Sequence, residues 1–298
     1  MKISAIIPCY NEELTIKQVI EDIKRYSPEC EINIFDNNST DNTYNLAKEE
    51  GVNVYKVMYQ GKGEVIRRAF DIINSDIYIL IDGDNECDAS AIPKLTNYLI
   101  EEQLDMVTVI RKDGVYRKGH SFGNKMITYF AKLLFGKYCN DILSGYRIFS
   151  NKFVKSFPSH SKGFEIEAEL TIFALQMRFP IGEMEAEYKN RPEGSFSKLN
   201  TFRDGFRIIG LIINLLMSEK PILFWSIISS IFMLLGFYYG IPVIYSFIKE
   251  GFVPIATSVL SASFVILSAI SFITGLIMNS IGKVLKEVRR YRYLSVSK

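Results

Sequence analysis

The ten residues Ile77–Glu86 read Ile-Tyr-Ile-Leu-Ile-Asp-Gly-Asp-Asn-Glu, and they decide the fold class. A continuous apolar run of this length is typical of a strand that is buried on both faces, as strands of parallel sheets are. Carboxylates at every second residue then end the strand, at Asp82, Asp84 and Glu86. Because ligands of open parallel sheets bind beyond the carboxyl ends of the strands, this stretch predicts a site as well as a strand.

Strand and helix signals alternate on both sides of this stretch. The predicted strands are Ile3–Cys9, Glu31–Phe35, Val52–Val57, Ile77–Ile81 and Met106–Ile110. The predicted helices are Glu13–Tyr26, Asp41–Glu50, Glu64–Ile73 and Ser90–Glu101. Such an alternation predicts an α/β domain with a mostly parallel sheet.

Polar segments follow three of the predicted strands, namely Pro8–Glu12, Asp36–Asp41 and Asp82–Glu86. Because the carboxyl ends of parallel strands meet at one edge of the sheet, we expect these three segments to lie side by side. The carboxylates of the third segment are hard oxygen ligands, which suit Mg²⁺ or Mn²⁺. The spacing alone also fits an acidic turn that caps the next helix.

Several common nucleotide-binding and nucleophile motifs are absent from the sequence. Gly61-Lys62-Gly63 is too short for a P-loop and Gly-x-Gly-x-x-Gly does not occur, which disfavours a P-loop kinase and a Rossmann dehydrogenase. A Gly-x-Ser-x-Gly elbow is also missing. The four cysteines have no metal-binding spacing, so we interpret them as reduced cytosolic thiols. The first residues lack the features of a signal peptide, and we expect a cytoplasmic N-terminal domain.

Two long uncharged runs predict a membrane hairpin. Residues 222–248 and 251–282 carry no charge, and both runs exceed the roughly 20 apolar residues that a spanning helix needs. We predict transmembrane helices at about 222–248 and 253–282. The tail 283–298 holds six lysines and arginines against one glutamate, which favours a cytoplasmic C-terminus. The predicted protein is a multi-pass protein of the cell (inner or plasma) membrane, although two buried core helices would give a similar pattern.

The segment before the hairpin has a polar stripe. Arg203, Arg207, Gly210 and Asn214 are spaced by four, three and four residues on an otherwise apolar helix. This pattern predicts a helix that lies in the membrane interface, or else one that packs under the catalytic domain. The predicted organisation is a catalytic domain at 1–200, an interfacial helix at 201–220, a two-helix hairpin at 221–282 and a basic tail at 283–298.

Six motifs in order resemble those of the family 2 glycosyltransferases. Within that family the match is to the branch of polyprenyl-phosphate glycosyltransferases and dolichol-phosphate mannose synthases. The resemblance runs from residue 6 to about residue 210. The motifs are Ile7–Glu12, Asp36–Thr43, Gly61–Gly63, Asp82–Glu86, Ser144–Arg147 and Arg191–Leu199.

The resemblance implies a glycosyltransferase A-type, Rossmann-like fold and an inverting transfer from a nucleotide sugar to a polyprenyl (undecaprenyl or dolichyl) phosphate. Such a reaction serves cell-envelope glycan or glycoconjugate synthesis. The implied nucleotide-sugar residues are Pro8, Tyr10, Glu12, Asp36, Asn37, Lys62, Asp82, Asp84, Arg191 and Lys198. The implied acceptor-phosphate residues are Arg111, Lys125, Ser144 and Arg147. Asp84 and Glu86 would bind Mg²⁺ or Mn²⁺, and the implied catalytic residues are Asp82, Asp84 and Arg147.

Two positions depart from the family pattern. Asn37 stands where relatives commonly have a second aspartate that contacts the base edge, so UDP and GDP donors stay open. Glu86 stands where the mannose synthases often have glutamine, which adds a charge to the metal site.

We expect no catalytic base, because a phosphate monoester is largely dianionic at pH 7 and needs no deprotonation. Glu165, Glu167 and Asp141 are then acids that the reaction should not need. The expected partners are a nucleotide sugar, a polyprenyl phosphate lipid and the membrane, with no nucleic acid and with a homo-oligomer left open. The alternatives are a membrane polysaccharide synthase with a sugar hydroxyl acceptor, and a non-catalytic membrane scaffold that kept a nucleotide-binding fold.

Overall fold

The computed structural model describes most of the chain, and for Arg111 it describes the backbone only. The described residues are 1–111, 129, 132–133, 140–158, 163, 165–189, 210, 213–214 and 216–296. The chain divides into two compact units. The first consists of Met1–Ile208 together with Arg289–Lys298, and the second is Ile209–Val288.

A seven-stranded sheet forms the centre of the first unit. Its strands are β1 (Ile3–Cys9), β2 (Cys30–Asp36), β3 (Asn53–Lys56), β4 (Ile77–Leu80), β5 (Met106–Arg111), β6 (Arg147–Ser150) and β7 (Ile181–Ala186). The strand order is β3-β2-β1-β4-β6-β5-β7. Among these strands only β6 is reversed, since it pairs antiparallel with both β4 and β5. The predicted α/β domain with a mostly parallel sheet is confirmed.

Six helices of the first unit pack around this sheet and have both of their ends among the described residues. They are α1 (Ile16–Tyr26), α2 (Thr43–Glu49), α3 (Lys62–Ile72), α4 (Ile92–Glu101), α5 (Asn151–Ser156) and α6 (Glu165–Met177), with a 3₁₀ turn at Ala89–Ala91. In α1 the apolar side chains of Ile16, Val19, Ile20 and Ile23 recur at helical spacing and are all buried. Alternate residues of each strand point to opposite faces, so the sheet separates two apolar cores.

The first helix begins three residues later than the sequence predicts. The carbonyl oxygen of Glu12 accepts hydrogen bonds from the backbone N–H groups of Thr15 (3.1 Å) and Ile16 (3.0 Å). The residues before Ile16 therefore form a turn that leads from β1 into the helix. This turn keeps Pro8–Glu12 at the edge of the sheet, where the site lies.

Two long helices lie in the described part of the second unit, α7 (Pro221–Glu250) and the beginning of α8 (Ile255–Val296). Both are long and apolar enough to cross a membrane by length and composition. Between them, the Ser229 hydroxyl donates to the carbonyl oxygen of Ser268 at 2.9 Å. The predicted tail 283–298 is helical as far as Val296, because lysine, arginine, glutamate and leucine favour helix and neither glycine nor proline follows Gly282.

The predicted interfacial helix lies mostly outside the described residues. Arg203 and Arg207 are not described, whereas Gly210 and Asn214 are helical and exposed. The interfacial location of this segment stays a prediction.

The last turns of α8 belong to the first unit. The ring of Tyr293 stacks on Phe179 with a centroid distance of 4.4 Å, and its hydroxyl donates to Asp105 Oδ2 at 2.7 Å. Arg289 Nη1 donates to Gln176 Oε1 at 3.3 Å. The C-terminal residues therefore pack on the α/β domain and extend its apolar core.

Candidate active site

Three loops meet at the carboxyl edge of the sheet, where β1, β2 and β4 end. The backbone N–H of Asn11 donates to Ser39 Oγ at 3.0 Å, which joins the first loop to the second. The Thr15 hydroxyl donates to the carbonyl oxygen of Gly83 at 2.7 Å, which joins the first to the third. The close packing that the sequence predicts for these segments is therefore observed.

Each of the three loops turns on an asparagine with a left-handed backbone. The φ angles are +54° at Asn11, +62° at Asn38 and +58° at Asn85. Asparagine tolerates this conformation better than most residues because its short amide can hydrogen-bond locally. The loops can therefore reverse direction directly after each strand and keep their polar side chains at the sheet edge.

Asp36 contributes a buried carboxylate at the end of β2. Its side chain is 2% exposed, and Oδ2 accepts the backbone N–H of Ser39 at 3.4 Å. Among the described residues, no donor lies within hydrogen-bonding distance of Oδ1. A buried acceptor in this state is costly unless a ligand supplies the donor, so Asp36 suits an N–H of a nucleotide base.

The side-chain amide of Asn37, the next residue, is already hydrogen-bonded to backbone groups of the protein. Its amide nitrogen donates to the carbonyl oxygen of Tyr59 at 2.7 Å, and its oxygen accepts the backbone N–H of Gly61 at 2.7 Å. A second contact to Val57 O is longer, at 3.4 Å. The structure therefore does not support the predicted contact between Asn37 and the base edge. The side chain holds the loop that leads into α3.

Lys62 lies between two carboxylates. Its Nζ is 2.6 Å from Asp82 Oδ1, directly after β4, and 2.6 Å from Glu167 Oε1, in the first turn of α6. Burial alone would lower the pKa of the Lys62 ammonium, but Asp82 and Glu167 together raise it above its ordinary value. Burial raises the pKa of the Glu167 carboxyl, and the adjacent ammonium opposes that rise. The predicted site residues Lys62 and Asp82 are thus in direct contact.

Asp84 and Glu86 are both buried on the third loop. Asp84 Oδ1 accepts the backbone N–H of Glu86 at 3.2 Å, so the two side chains share one tight turn. Within the described residues, no group of three histidines, cysteines, aspartates or glutamates is arranged to hold a metal ion. Two carboxylates nevertheless fit Mg²⁺ or Mn²⁺, because such an ion commonly takes one or two of them and completes its shell with substrate phosphates and water.

The first residues of β6 lie beside this loop because β6 is antiparallel to β4. Arg147 pairs with Leu80, two residues before Asp82. The Arg147 side chain is fully buried, and it donates to Ser144 O (2.8 Å), Ile142 O (2.7 Å) and Thr171 Oγ1 (2.7 Å). The structure therefore does not place Arg147 where it could bind an acceptor phosphate, since burying this guanidinium leaves no exposed donor.

Ser144 also differs from its predicted role. It is buried, and its hydroxyl donates to the carbonyl oxygen of Val109 at 2.7 Å. The hydroxyl hydrogen is therefore directed to the backbone of β5 instead of to a ligand. Ser144 and Arg147 together fix the turn that precedes β6.

The remaining predicted residues divide into two groups. Pro8, Tyr10 and Glu12 are partly exposed on the first loop. Lys125, Arg191, Lys198 and the side chain of Arg111 lie outside the described part of the chain, so their roles stay predictions. The segment that leads to Arg191 does reach the site, because the backbone N–H of Lys189 donates to Glu86 O at 2.7 Å.

Sequence reasoning did not predict the contact between Glu167 and Lys62. A signal was present in the pattern of α6. Glu167 shares one helical face with Leu170, Thr171 and Ala174, and all of these are buried. A glutamate on an apolar face needs a buried partner, and Lys62 in the Gly-Lys-Gly motif is that partner.

The comparison with known protein families agrees with this geometry. Residues 4–157, which run from the second residue of β1 to beyond β6 and include all three loops, match the model of glycosyl transferase family 2. The chain belongs to this family. It is a glycosyltransferase, and the resemblance that the sequence motifs indicate is confirmed.

Several relatives are similar over most of the chain. Glycosyltransferase AglJ of Haloferax volcanii is 31% identical over 205 residues, 67% of this chain and 67% of that protein. The undecaprenyl-phosphate 4-deoxy-4-formamido-L-arabinose transferase of Klebsiella pneumoniae is 25% identical, covering 80% of this chain and 75% of its own. The UDP-N-acetylglucosamine–dolichyl-phosphate N-acetylglucosaminyltransferase of Methanococcus voltae is 28% identical, covering 60% and 82%.

The fold is also found among solved structures. The glucosyl-3-phosphoglycerate synthase of Mycobacterium tuberculosis, crystallised with Mn²⁺, UDP and phosphoglyceric acid, matches with a TM-score of 0.59. It is 23% identical, and the match covers 73% of this chain and 78% of that one. At this level of identity the likeness establishes the fold, which is the predicted glycosyltransferase A-type fold.

Proposed function

We propose that this glycosyltransferase moves a sugar from a nucleotide-sugar donor to a polyprenyl phosphate at the cytoplasmic face of the cell membrane. The observation that carries the proposal is that a glycosyltransferase domain and two helices apolar and long enough to cross a membrane occur in one chain. An acceptor whose tail is embedded in the bilayer requires an enzyme held at that surface. Two of the relatives described above are named for undecaprenyl and dolichyl phosphate acceptors.

The donor would bind at the carboxyl edge of the sheet. Asp36 Oδ1 is a buried acceptor without a described partner, which suits an N–H on the base of either a uridine or a guanosine nucleotide. The partly exposed Pro8, Tyr10 and Glu12 would line the nucleotide pocket, and Asp82 would orient the sugar. The selection of one base over the other then depends on groups other than Asn37, whose amide is already engaged.

Asp84 and Glu86 would hold a divalent cation, either Mg²⁺ or Mn²⁺. Such an ion, when bound, supplies positive charge that stabilises the departing nucleoside diphosphate. Arg191 and Lys198 are proposed to add cationic groups, as arginine in particular suits bidentate phosphate contacts. The backbone hydrogen bond from Lys189 to Glu86 supports the proposal for Arg191, because it holds the chain two residues before Arg191 against the same loop.

The transfer itself would be a single displacement. An oxygen of the acceptor phosphate forms a bond to the anomeric carbon, and the bond from that carbon to the diphosphate oxygen breaks, with inversion of configuration. No proton moves, because the acceptor phosphate has a second pKa near 6 and is mostly dianionic at neutral pH. Arg111 and Lys125 are the residues that we propose for the acceptor phosphate, now without Ser144 and Arg147.

The test is a direct assay of the purified full-length protein. It is incubated with undecaprenyl or dolichyl phosphate and a panel of UDP- and GDP-sugars, and the lipid products are identified by mass spectrometry. We expect one class of nucleotide sugar to yield a polyprenyl phosphate sugar. A product in which sugars are joined to each other through hydroxyl groups would instead indicate a polysaccharide synthase and would overturn the proposed acceptor.

The proposed orientation has its own test. After replacement of the native cysteines, the single variants Thr40→Cys, Ser295→Cys and Glu250→Cys are exposed in intact cells to a thiol reagent that cannot cross the membrane. We expect labelling of Glu250→Cys only, because the segment between α7 and α8 would face outward. Labelling at position 295 but not at position 250 would show the opposite orientation.

A further inference from the structure

Three charged groups from distant parts of the chain form a buried cluster beside the proposed donor site. Lys62 lies in the first turn of α3, Asp82 follows β4, and Glu167 lies in the first turn of α6. Glu167 is 105 residues from Lys62 in sequence, and the hydrogen bond between them is 2.6 Å long. The three residues therefore connect two helices to the strand end that carries the acidic loop.

The three groups differ in their access to the site. The side chains of Lys62 and Glu167 are 7% and 10% exposed, whereas that of Asp82 is 32% exposed. Asp82 is therefore the member that a substrate can reach, and Lys62 and Glu167 lie behind it. Glu167 is the only one of the three that neither the sequence motifs nor the proposed reaction uses.

Gly145 closes this cluster from the side of β6. A Cβ atom at this position would lie 2.5 Å from Asp82 Oδ2, 2.8 Å from Lys62 Nζ and 3.1 Å from Glu167 Oε1. The backbone at Gly145 thus packs against all three charged groups at once. Any larger residue at position 145 would displace the ion pairs, so their geometry depends on a glycine there.

We propose that Glu167 is a positioning residue for the transfer reaction, because it holds Lys62 in the place from which Lys62 fixes the carboxylate of Asp82. The inference rests on the proposed role of Asp82 in orienting the donor sugar. A lysine has a long side chain with many rotamers, and a single exposed ion pair restrains it weakly. A second, buried carboxylate restrains the ammonium from behind, so that Asp82 Oδ1 is held at a fixed place.

Removal of the charge on Glu167 should release this restraint. Lys62 would then have Asp82 as its only anionic partner in the cluster, and the ammonium would move toward that carboxylate. Asp82 would become both more fully neutralised and less well oriented. Mutation of the partners that orient metal ligands typically changes metal affinity or activity by about 10- to 100-fold, and we expect an effect of that order here.

The decisive variant is Glu167→Gln, which preserves the side-chain size and one acceptor oxygen. With the donor and acceptor that the wild-type enzyme uses, we expect kcat to fall by about 10-fold or more. Binding of UDP or GDP in the presence of Mn²⁺ should change little, since Asp36, Asp84 and Glu86 are untouched. The control is Glu101→Gln, the same charge change at an exposed position of α4, which should leave both quantities unchanged.

A crystal structure of Glu167→Gln supplies a readout that does not depend on the proposed substrates. We expect the Asp82 carboxylate to leave its wild-type position. An unmoved Asp82 would overturn the inference even if no donor and acceptor have been found, and wild-type kcat would overturn it as well.

If Glu167→Gln does not fold, the double variant Lys62→Met/Glu167→Met replaces the buried pair by apolar side chains, which proteins often tolerate. In this variant Asp82 remains, but the Lys62 ammonium that held its carboxylate is gone. We expect a folded protein with a kcat reduced at least as much as in the single variant. Full activity of the folded double variant would show that the pair serves the fold alone.

Discussion

The side-chain oxygen of Asn37 accepts the backbone N–H of Gly61 at 2.7 Å, across 24 residues of chain. The nitrogen of the same amide donates to Tyr59 O. One side chain therefore fixes both sides of the turn that precedes Lys62. An asparagine amide can both donate and accept at this position, whereas an ionised aspartate could only accept.

We predict that Asn37→Asp destabilises the protein by about 1–3 kcal/mol, because the carboxylate cannot donate to Tyr59 O and leaves that carbonyl unsatisfied. Thermal unfolding measures the effect. Asn38→Asp is the matched control, since Asn38 is exposed and aspartate also tolerates its left-handed backbone. An Asn37→Asp variant with unchanged stability and altered base preference would instead show that residue 37 contacts the base.

We predict that replacement of Arg147 destabilises the folded protein and does not selectively weaken binding of the acceptor phosphate. Arg147→Met removes the buried donors to Ser144 O, Thr171 Oγ1 and Ile142 O, at a cost on the order of 3 kcal/mol. Denaturant unfolding of the variant, compared with Arg68→Lys on the exposed face of α3, measures this cost. A stable Arg147→Met protein that had lost only its use of the lipid phosphate would contradict the buried geometry.

The ion pairs of Lys62 predict that the stability of the folded protein decreases with pH in the alkaline range. The folded protein raises the pKa of Lys62 above its ordinary value of 10.5, so the folded state binds more protons than the unfolded state above that pH. The stabilisation is complete below pH 10.5 and is lost as the pH rises through the folded-state pKa. The melting temperature of the wild type should fall more steeply above pH 10.5 than that of Lys62→Met/Glu167→Met. Parallel curves would contradict the prediction.

Metal dependence follows from the carboxylates of the third loop. We predict that Asp84→Asn lowers the rate on the order of a hundredfold or more, because charge stabilisation is lost mainly in the transition state. Excess chelator should abolish activity, and Mg²⁺ or Mn²⁺ should restore it. Asp71→Asn, on the exposed side of α3, is the control. Full activity in excess chelator would show that neither Asp84 nor Glu86 serves a metal.

The packing of residues 289–296 on the α/β domain predicts that Tyr293, although distant in sequence, stabilises that domain. Tyr293→Ala removes the stacking on Phe179 and the hydrogen bond to Asp105, and we expect thermal unfolding to show a loss of about 1–3 kcal/mol. Tyr291→Ala, at a ring that is 78% exposed, should cost much less. Equal stability of the two variants would mean that residues 289–296 do not pack on the domain in solution.

The sequence was most informative where local rules decide the structure. Apolar runs and helical periodicity predicted β1 to β5 and α1 to α4 with small errors at the ends. The signal is strongest in β1, β2 and β4, which are buried on both faces of the sheet. The acidic loop after β4 was predicted for the same reason, as its residues interrupt an apolar run. The edge where three loops meet then followed from the geometry of parallel strands.

The errors share one physical cause. A motif identifies which residues are near a site, but it does not show whether a polar side chain faces a ligand or supports its neighbours from below. Arg147, Ser144 and Asn37 are all near the site, and each is directed to backbone groups. Glu167 was overlooked for the complementary reason, because its partner Lys62 is far away in sequence and only the reversed β6 and the following helices bring the two together.

The position of Tyr293 has a consequence for the order in which the molecule is made. Its ring completes the aromatic packing around Phe179 and Phe173, yet it is synthesised only after α7 and most of α8. The domain that begins at Met1 therefore cannot reach its final packing while the ribosome is still translating α8. Until then the face of Phe179 that Tyr293 covers stays without its partner ring, and uncovered apolar surface of this kind makes a nascent chain prone to aggregation.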